Sequence, residues 1–405
     1  TFSTRFIIYY SYQGQHYYQE HHVIDIIIIM TFDERSTSLL LSGLVPMKAK
    51  SSIYNNKKNL VVIMLRGAMD GLTSVPYIHD NTLEKVRPDI FVKKLLNLNS
   101  DFSLHPKLSS YHKLWNNNEA TIVHATNIPY TGRSHFDGQN LMESGGIVPY
   151  KTKTGWLGKG IDVAGLDGLS MSLPMPLLLR GKKNQDNFYP SKLSMPSKNL
   201  IDILKHHYDD EPLLKNSFNK LISRPLSMTK SSNNKNIKTL ARIAAKELKK
   251  DDGPRVAVFE VFGFDTHAAQ GGADGEHGQK LKLVDDAFQI LKKNLSETFK
   301  NTLILTLTEF GRTLVQNSGY GTEHGYGTSV LLAGGLIKKS QVFSDWPGIK
   351  KKELFEGRDL NSTLDTRSIY CSAMSLCFDT DFELLNKHVF PDKNLINVRD
   401  KIFNS

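Results

Sequence analysis

Cysteine is scarce in this sequence: Cys371 and Cys377 are the only two. No Cys-x-x-Cys occurs, which excludes a zinc ribbon and a dithiol redox motif. Six residues apart on a helix, the two thiols face different ways. The apolar stretch YCSAMSLCF makes each a small buried hydrophobe rather than half of a disulfide. Long apolar runs are also missing, and none reaches the roughly 20 residues that a membrane-spanning helix needs. There is no internal repeat. Nor is there a concentrated basic block with interleaved aromatics, although Lys and Arg (51) outnumber Asp and Glu (41) for a net charge of +10. The excess lies in short scattered runs such as Lys182-Lys183, Lys249-Lys250 and Lys350 to Lys352. These read as a solvated surface with a weak general pull on anions, and they argue against a nucleic-acid partner.

With 405 residues, 40% of them hydrophobic, the chain can bury a large core. Residues 1–30 show no organised pattern. After Met30, TFDERSTSLLLSGLVPMKAKSS resembles a worn export signal, with Asp33 and Glu34 in its first part and no twin arginine. The expectation is an exported protein, periplasmic or extracellular, with a cytoplasmic one as the alternative. Residues 1–56 are expected to be an N-terminal segment, disordered or a degenerate export signal. Residues 57–400 are expected to form a single domain.

From Asn59 the pattern is regular. Leu60 to Gly67 (LVVIMLRG) is a short apolar run ending in glycine, as a fully buried parallel strand requires. Similar runs lie at Ala120 to Thr126, Met175 to Gly181, Arg255 to Gly263, Asn301 to Gly311 and Thr328 to Gly335. Helical spacing marks the stretch from Glu276 to Phe299, where Leu281, Val284, Phe288, Leu291 and Leu295 recur on one face. Further helices are predicted between about Leu213 and Lys250 and over Asp365 to Cys377. Strands alternating with helices predict an α/β fold with a mainly parallel central sheet and helices on both faces.

In such a fold, ligands collect outside the carboxyl ends of the strands. Those ends carry Asp70 (RGAMDG), Arg133 to His135 (GRSHFDGQ), Asp265 and His267 (FGFDTHAAQGG), Glu309 and Arg312 (TEFGRT), and Glu323 and His324 (GYGTEHGYGT). Each has an ordinary reading as well. Asp70 can cap a helix, and so can Ser134, with Asp137 three residues on. Glu309 and Arg312 can form a structural ion pair. His135 and Arg66 read as structural. Asp265-x-His267 suits a metal better than packing, because His plus carboxylate ligation favours ions such as Zn²⁺ or Mn²⁺.

The motifs LVVIMLRGAMDGL, VHATNIPYTGRSHFDGQ, GWLGKG, FEVFGFDTHAAQGG, LTEFGRT, GTEHGYGTSVLLAGG, DWPG and RDLNSTLDTRS together resemble the DUF1501 family. Its members are mostly bacterial, often exported and of uncharacterised function, and they are grouped with the alkaline phosphatase and sulfatase superfamily. The resemblance covers roughly residues 57 to 395. It implies an alkaline-phosphatase-like three-layer sandwich and a metal-dependent hydrolase of phosphate or sulfate esters. One or two divalent ions (Zn, Mn, Mg or Ca) are implied, with an anionic small-molecule, glycan or lipid ester as substrate. Carried onto this chain, it makes Asp70, Asp265, His267, Glu309 and His324 metal ligands and Ser134 the nucleophile. Arg133 and Arg312 would hold the anion through bidentate contacts. Glu309-Phe310 stands where the superfamily carries Asp-His, so one histidine ligand is lacking and a single ion is favoured. The sulfatase Cys-x-Pro-x-Arg signature is absent. The alternative is an exported, non-catalytic binding protein that keeps the fold, with or without one metal.

Overall fold

The computed structural model describes residues 57–404, except 80, 173, 183–184, 188–196, 209–210, 213–214, 216–217, 220–235 and 391–394. Before residue 57 it describes only the backbone pairs 7–8 and 28–29. The export-like stretch after Met30 and the first part of the helix expected from Leu213 lie outside the described residues. The chain forms two compact units, one of Thr1–Pro46 with Pro196–Arg224 and one of Met47–Met195 with Pro225–Ser405. In the first, Ile7–Ile8 pairs antiparallel with Ile28–Ile29, and Ser197 caps the helix Lys198–His207.

The second unit is built on a nine-stranded sheet. In chain order its strands are β1 (Asn59–Arg66), β2 (Ala120–Asn127), β3 (Gly168–Ser170), β4 (Asp186–Asn187), β5 (Val256–Phe262), β6 (Thr302–Leu307), β7 (Thr328–Ala333), β8 (Val342–Phe343) and β9 (Leu364–Asp365). Across the sheet the order is β8-β2-β7-β6-β1-β5-β3-β4, with β9 also on β2. All pairings are parallel except those of β7, which runs antiparallel to both neighbours. The carboxyl ends of β1, β2, β5 and β6 and the start of β7 therefore share one edge.

Both faces of the sheet are covered. In β1, Leu60, Val62 and Met64 enter one core while Val61, Ile63 and Leu65 enter the other. This is why the strand reads as a continuous apolar run. The first core is completed by helices α2 (His135–Ser144), α3 (Trp156–Ala164), α6 (Thr366–Cys377) and α7 (Phe382–Val389). The second is completed by α1 (Ser109–Asn116), α4 (Ile237–Leu248) and α5 (Glu276–Leu295). The result is the expected three-layer α/β sandwich. Cys371 and Cys377 are free and buried on α6, and burial pushes both thiols up to about 12. Among the described residues no helix is long and apolar enough to cross a membrane.

One expected strand is absent. Met175 to Gly181 contains only a 3₁₀ turn, Leu177–Leu179. Pro174 and Pro176 remove ladder donors, and the Leu178 N–H goes to Glu143 Oε2 at 2.9 Å instead.

Candidate metal centre

Four loops at the carboxyl edge meet at Asp265. It follows β5, and its Oδ1 faces four nitrogens: Arg312 Nη1 at 2.9 Å, His267 Nε2 at 3.0 Å, His135 Nε2 at 3.2 Å and His324 Nε2 at 3.3 Å. His267 Nε2 and His324 Nε2 are themselves 2.9 Å apart. One ligand atom each from His135, Asp265 and His324 lies within 4.8 Å of the other two.

The opposite ring nitrogens face acceptors as well. His135 Nδ1 donates to Glu309 Oε1 at 2.8 Å, His267 Nδ1 to Glu323 Oε2 at 2.8 Å and His324 Nδ1 to the Arg133 carbonyl at 2.7 Å. All three partners are acceptors, as is Asp265 Oδ1 on the other side, so a neutral ring that donates through Nδ1 turns its Nε2 lone pair onto Asp265. Three Nε2 lone pairs then converge on one carboxylate oxygen. Lone pairs facing lone pairs repel, and only a proton or a cation between them relieves it. The buried His135 Nε2 has no aligned hydrogen-bond partner. An orphaned imidazole nitrogen, two others turned the same way and a carboxylate fit a divalent cation, with Nδ1 held from behind as in metal-bound histidines.

The electrostatics agree. Burial alone would lower the His135 pKa, but the Glu309 and Asp265 carboxylates reverse this and hold it above its ordinary value. Burial also opposes ionisation of Asp265, yet Arg312 and His135 hold its carboxyl low. His324 is pushed down, first by burial and then by the charges of His135 and Arg312. The focus of the site favours positive charge, and its imidazoles cannot all carry it as protons.

The supports are local. Ser134 caps α2, accepting from Asp137 N at 3.5 Å, which places His135 at the first turn with its ring over the edge. One turn on, Gln139 Nε2 donates to the same Glu309 Oε1 at 3.0 Å. Glu309 also accepts from Gly67 N at 2.8 Å, and these bonds hold it ionised against its full burial. Phe310, standing where a histidine ligand was expected, is buried and stacks on His135 with ring centroids 5.0 Å apart. Asp359 pins Arg133 in its positive-φ conformation (φ 55°) through Nε at 3.1 Å and Nη2 at 2.8 Å. In GYGTEHGYGT the backbone presses onto its neighbours. A Cβ on Gly321 would meet the His267 carbonyl at 2.4 Å, and one on Gly325 the Arg312 carbonyl carbon at 2.4 Å.

Of the expected site residues, the structure gathers Asp265, His267, His324 and Arg312 at one point and sets Glu309 behind His135. Glu309 and Arg312 serve separate partners rather than pairing with each other. It engages the others elsewhere. The Asp70 carboxylate is fully buried and takes five donors: Leu72 N, Thr73 N, Thr73 Oγ1, Arg87 Nη1 and Gln270 Nε2. The Arg133 guanidinium is tied to Asp359 and Glu356. Ser134 Oγ is the α2 cap.

His135 was read as structural, and here the structure differs. The missed signal is the spacing His135-x-x-x-Gln139, which on a helix turns both side chains to one face and here to one carboxylate.

The sequence model of the family described as "Protein of unknown function (DUF1501)" matches residues 224–376, which supports the resemblance read from the motifs. The match contains Asp265, His267, Glu309, Arg312 and His324, while Asp70 and the loop from Arg133 to His135 precede it. No curated protein matches the sequence. Among solved structures, Ps i-CgsB is similar at 11% identity, covering 85% of this chain and 76% of that one, with a TM-score of 0.43. Murine ectonucleotide pyrophosphatase/phosphodiesterase 5 in complex with AMP is similar at 12% identity over 85% and 100%, with a TM-score of 0.39. The periplasmic domain of EcEptC from Escherichia coli in complex with Zn is similar at 11% identity over 71% and 76%, with a TM-score of 0.35. Likenesses this distant say nothing about chemistry.

Proposed function

We propose that the chain is a metal-dependent hydrolase of phosphate or sulfate esters that works with one divalent cation. The observation that carries this reading is the convergence of three imidazole Nε2 atoms on the Asp265 carboxylate, one of them buried without an aligned hydrogen bond. His135, His267, His324 and Asp265 would hold the ion. A donor set rich in imidazole suits Zn²⁺ or Mn²⁺ better than Mg²⁺ or Ca²⁺, which prefer oxygen. When bound, such an ion lowers the pKa of an attacking hydroxyl and takes up substrate charge.

The chain's own groups complete the site. The first-turn N–H groups of α2 lack helical acceptors and favour an anion. Arg312 is held by Thr322 through Nε at 3.1 Å and Nη2 at 2.6 Å, so its Nη1 stays aimed at the centre. Ser134, next to His135, is the proposed nucleophile. Its Oγ attacks phosphorus or sulfur, the alcohol leaves with a proton, and water then releases the acid and restores the serine. One observation favours a second reading, a metal-binding protein without turnover: Ser134 Oγ is engaged as a helix cap.

Elemental analysis of the wild-type chain and of Asp265→Asn and Ser134→Ala, alongside hydrolysis of aryl phosphates and sulfates, decides between them. We expect one ion per chain, lost in Asp265→Asn, and turnover lost in Ser134→Ala with its metal retained. Metal with no turnover of any ester leaves the binding protein. Wild-type chains without metal remove both readings.

A further inference from the structure

Among the described residues the exposed aromatic side chains are Phe136 (81%), Tyr150 (62%), Phe262 (61%) and Tyr320 (60%). All four lie in or beside loops of the carboxyl edge, and three stand within four residues of a centre residue along the chain: Phe136 after His135, Phe262 before Asp265 and Tyr320 before His324. Phe136 follows His135 in α2. Phe262 ends β5, three residues before Asp265, and the Arg66 guanidinium lies 5.8 Å from its ring. Arg66 Nη1 in turn reaches Gln139 Oε1 at 3.0 Å, which ties it to the support of His135. Tyr320 stands in the glycine loop at φ 58°, its carbonyl accepting from Gln270 N at 3.0 Å, with Gly321 beside it against the His267 backbone. Positive φ costs a tyrosine backbone energy, so this ring is held out at a cost. The lysine-rich surface explains none of these placements. Large apolar groups exposed together around a polar focus mark a binding rim.

We propose that the site takes an oxyanion bearing an apolar, ring-sized organic group. The charge sits at the Asp265–histidine centre and the apolar group against Phe136, Phe262 and Tyr320. This rests on the hydrolase reading above and names its substrate class. The centre collects positive charge while Phe136, Phe262 and Tyr320 offer ring faces, so the complementary ligand is amphipathic. A bare inorganic anion would leave these ring faces wet.

The test compares two probes of equal charge, phenylphosphonate and methylphosphonate, by calorimetric titration of the metal-loaded full chain. Seating a phenyl ring on the rim gives a preference of about tenfold or more for phenylphosphonate. In the triple variant Phe136→Ala, Phe262→Ala, Tyr320→Ala, that ratio falls to within about twofold of one. The three side chains are exposed, and circular dichroism and metal content establish that the variant is folded and loaded. Equal affinities in the wild type, or a preference that survives in the triple variant, overturn the proposal. If neither phosphonate binds a chain shown to hold its metal, the proposal falls with the ester substrate while the metal centre stands. A chain without metal removes the centre itself. Co-sedimentation with phosphatidate vesicles separates the two sources of such a ligand. Aromatic-dependent pelleting supports a lipid carrier, and phenylphosphonate preference without pelleting supports a soluble one.

Discussion

Asp70 and Asp265 stand at the ends of neighbouring parallel strands, β1 and β5, on the same edge of the sheet. They are the same residue in nearly the same place, and the structure uses them oppositely. Asp70 is fully buried and meets five donors, so every lone pair that matters is satisfied. The Asp265 side chain is 42% exposed, and its Oδ1 faces one guanidinium and three imidazole nitrogens. A saturated carboxylate is architecture, whereas one that faces a single guanidinium and three imidazoles has the donor set that we propose for a cation. The two are also linked. Gln270 donates to Asp70 at 2.7 Å and accepts from Thr322 at 2.7 Å, and Thr322 Oγ1 accepts from Arg312 Nε at 3.1 Å. Asp70 thus steadies the arginine that faces Asp265.

The sharpest way to break this comparison is to make the same substitution at both sites. Asp70→Asn leaves the Arg87 charge buried without its counter-ion, a defect that costs about 3–5 kcal/mol. Asp265→Asn also takes the counter-ion from a buried guanidinium, Arg312, but Asp265 itself is 42% exposed and water reaches the site, so the loss in the metal-free chain should be smaller than at Asp70. Urea unfolding without metal measures both. A similar loss at the two positions would remove the distinction.

Acid should strike the Asp70 side first. His277 is buried beside Asp70 and shares a hydrogen bond with Ser74 at 3.1 Å. Burial, aided by the Arg312 and Arg87 charges and opposed by Asp70, pushes it down to about 4. The folded state refuses a proton that the unfolded chain accepts below about 6.5. Its share of stability is therefore present above that value and is lost as the pH falls towards 4, on the order of 3 kcal/mol in all. Asp70 follows lower down. Burial would raise it, but Arg87 and His277 hold it below the usual carboxylate range, so its share is lost only below about 4. His277→Gln should remove about one proton from the pH slope of unfolding between 6.5 and 4; an unchanged slope would mean that the histidine titrates normally in the fold.

Third comes the carboxylate behind His135. Glu309→Gln keeps the bulk but weakens its hold on His135 Nδ1 and Gly67 N. Metal affinity should fall about 10- to 100-fold, read by competition with a chelator. His135→Ala should lose at least as much, whereas a free affinity unchanged by either substitution would reduce the centre to Asp265, His267 and His324.

Much of this was legible in the sequence, and for separable reasons. Strands buried on both faces carry continuous apolar runs, so β1, β2, β5, β6 and β7 were readable and the edge holding the site followed from them. Met175 to Gly181 misled because composition does not show that the Leu178 N–H is captured by Glu143. Asp265 and His267 stood out by spacing. His135 did not, because its role depends on Glu309, which lies 174 residues away in the chain. The capping role of Asp70 was readable, but its two other donors were hidden, since Arg87 and Gln270 come from other loops.

The smallest effect concerns Ser134, which stands between the two classes. Its Oγ caps α2 through a bond of 3.5 Å to Asp137 N, long enough to be weak. Ser134→Ala should therefore cost at most about 1 kcal/mol. The measurement that places it is unfolding and aryl-ester turnover on the same preparation. If stability drops by that amount while turnover stays, Ser134 belongs with Asp70, as a group whose bonds build the fold. If turnover disappears while the unfolding midpoint and metal content hold, it belongs with Asp265, and the weakness of the cap has a use. A serine spared by its helix keeps a lone pair for the ester.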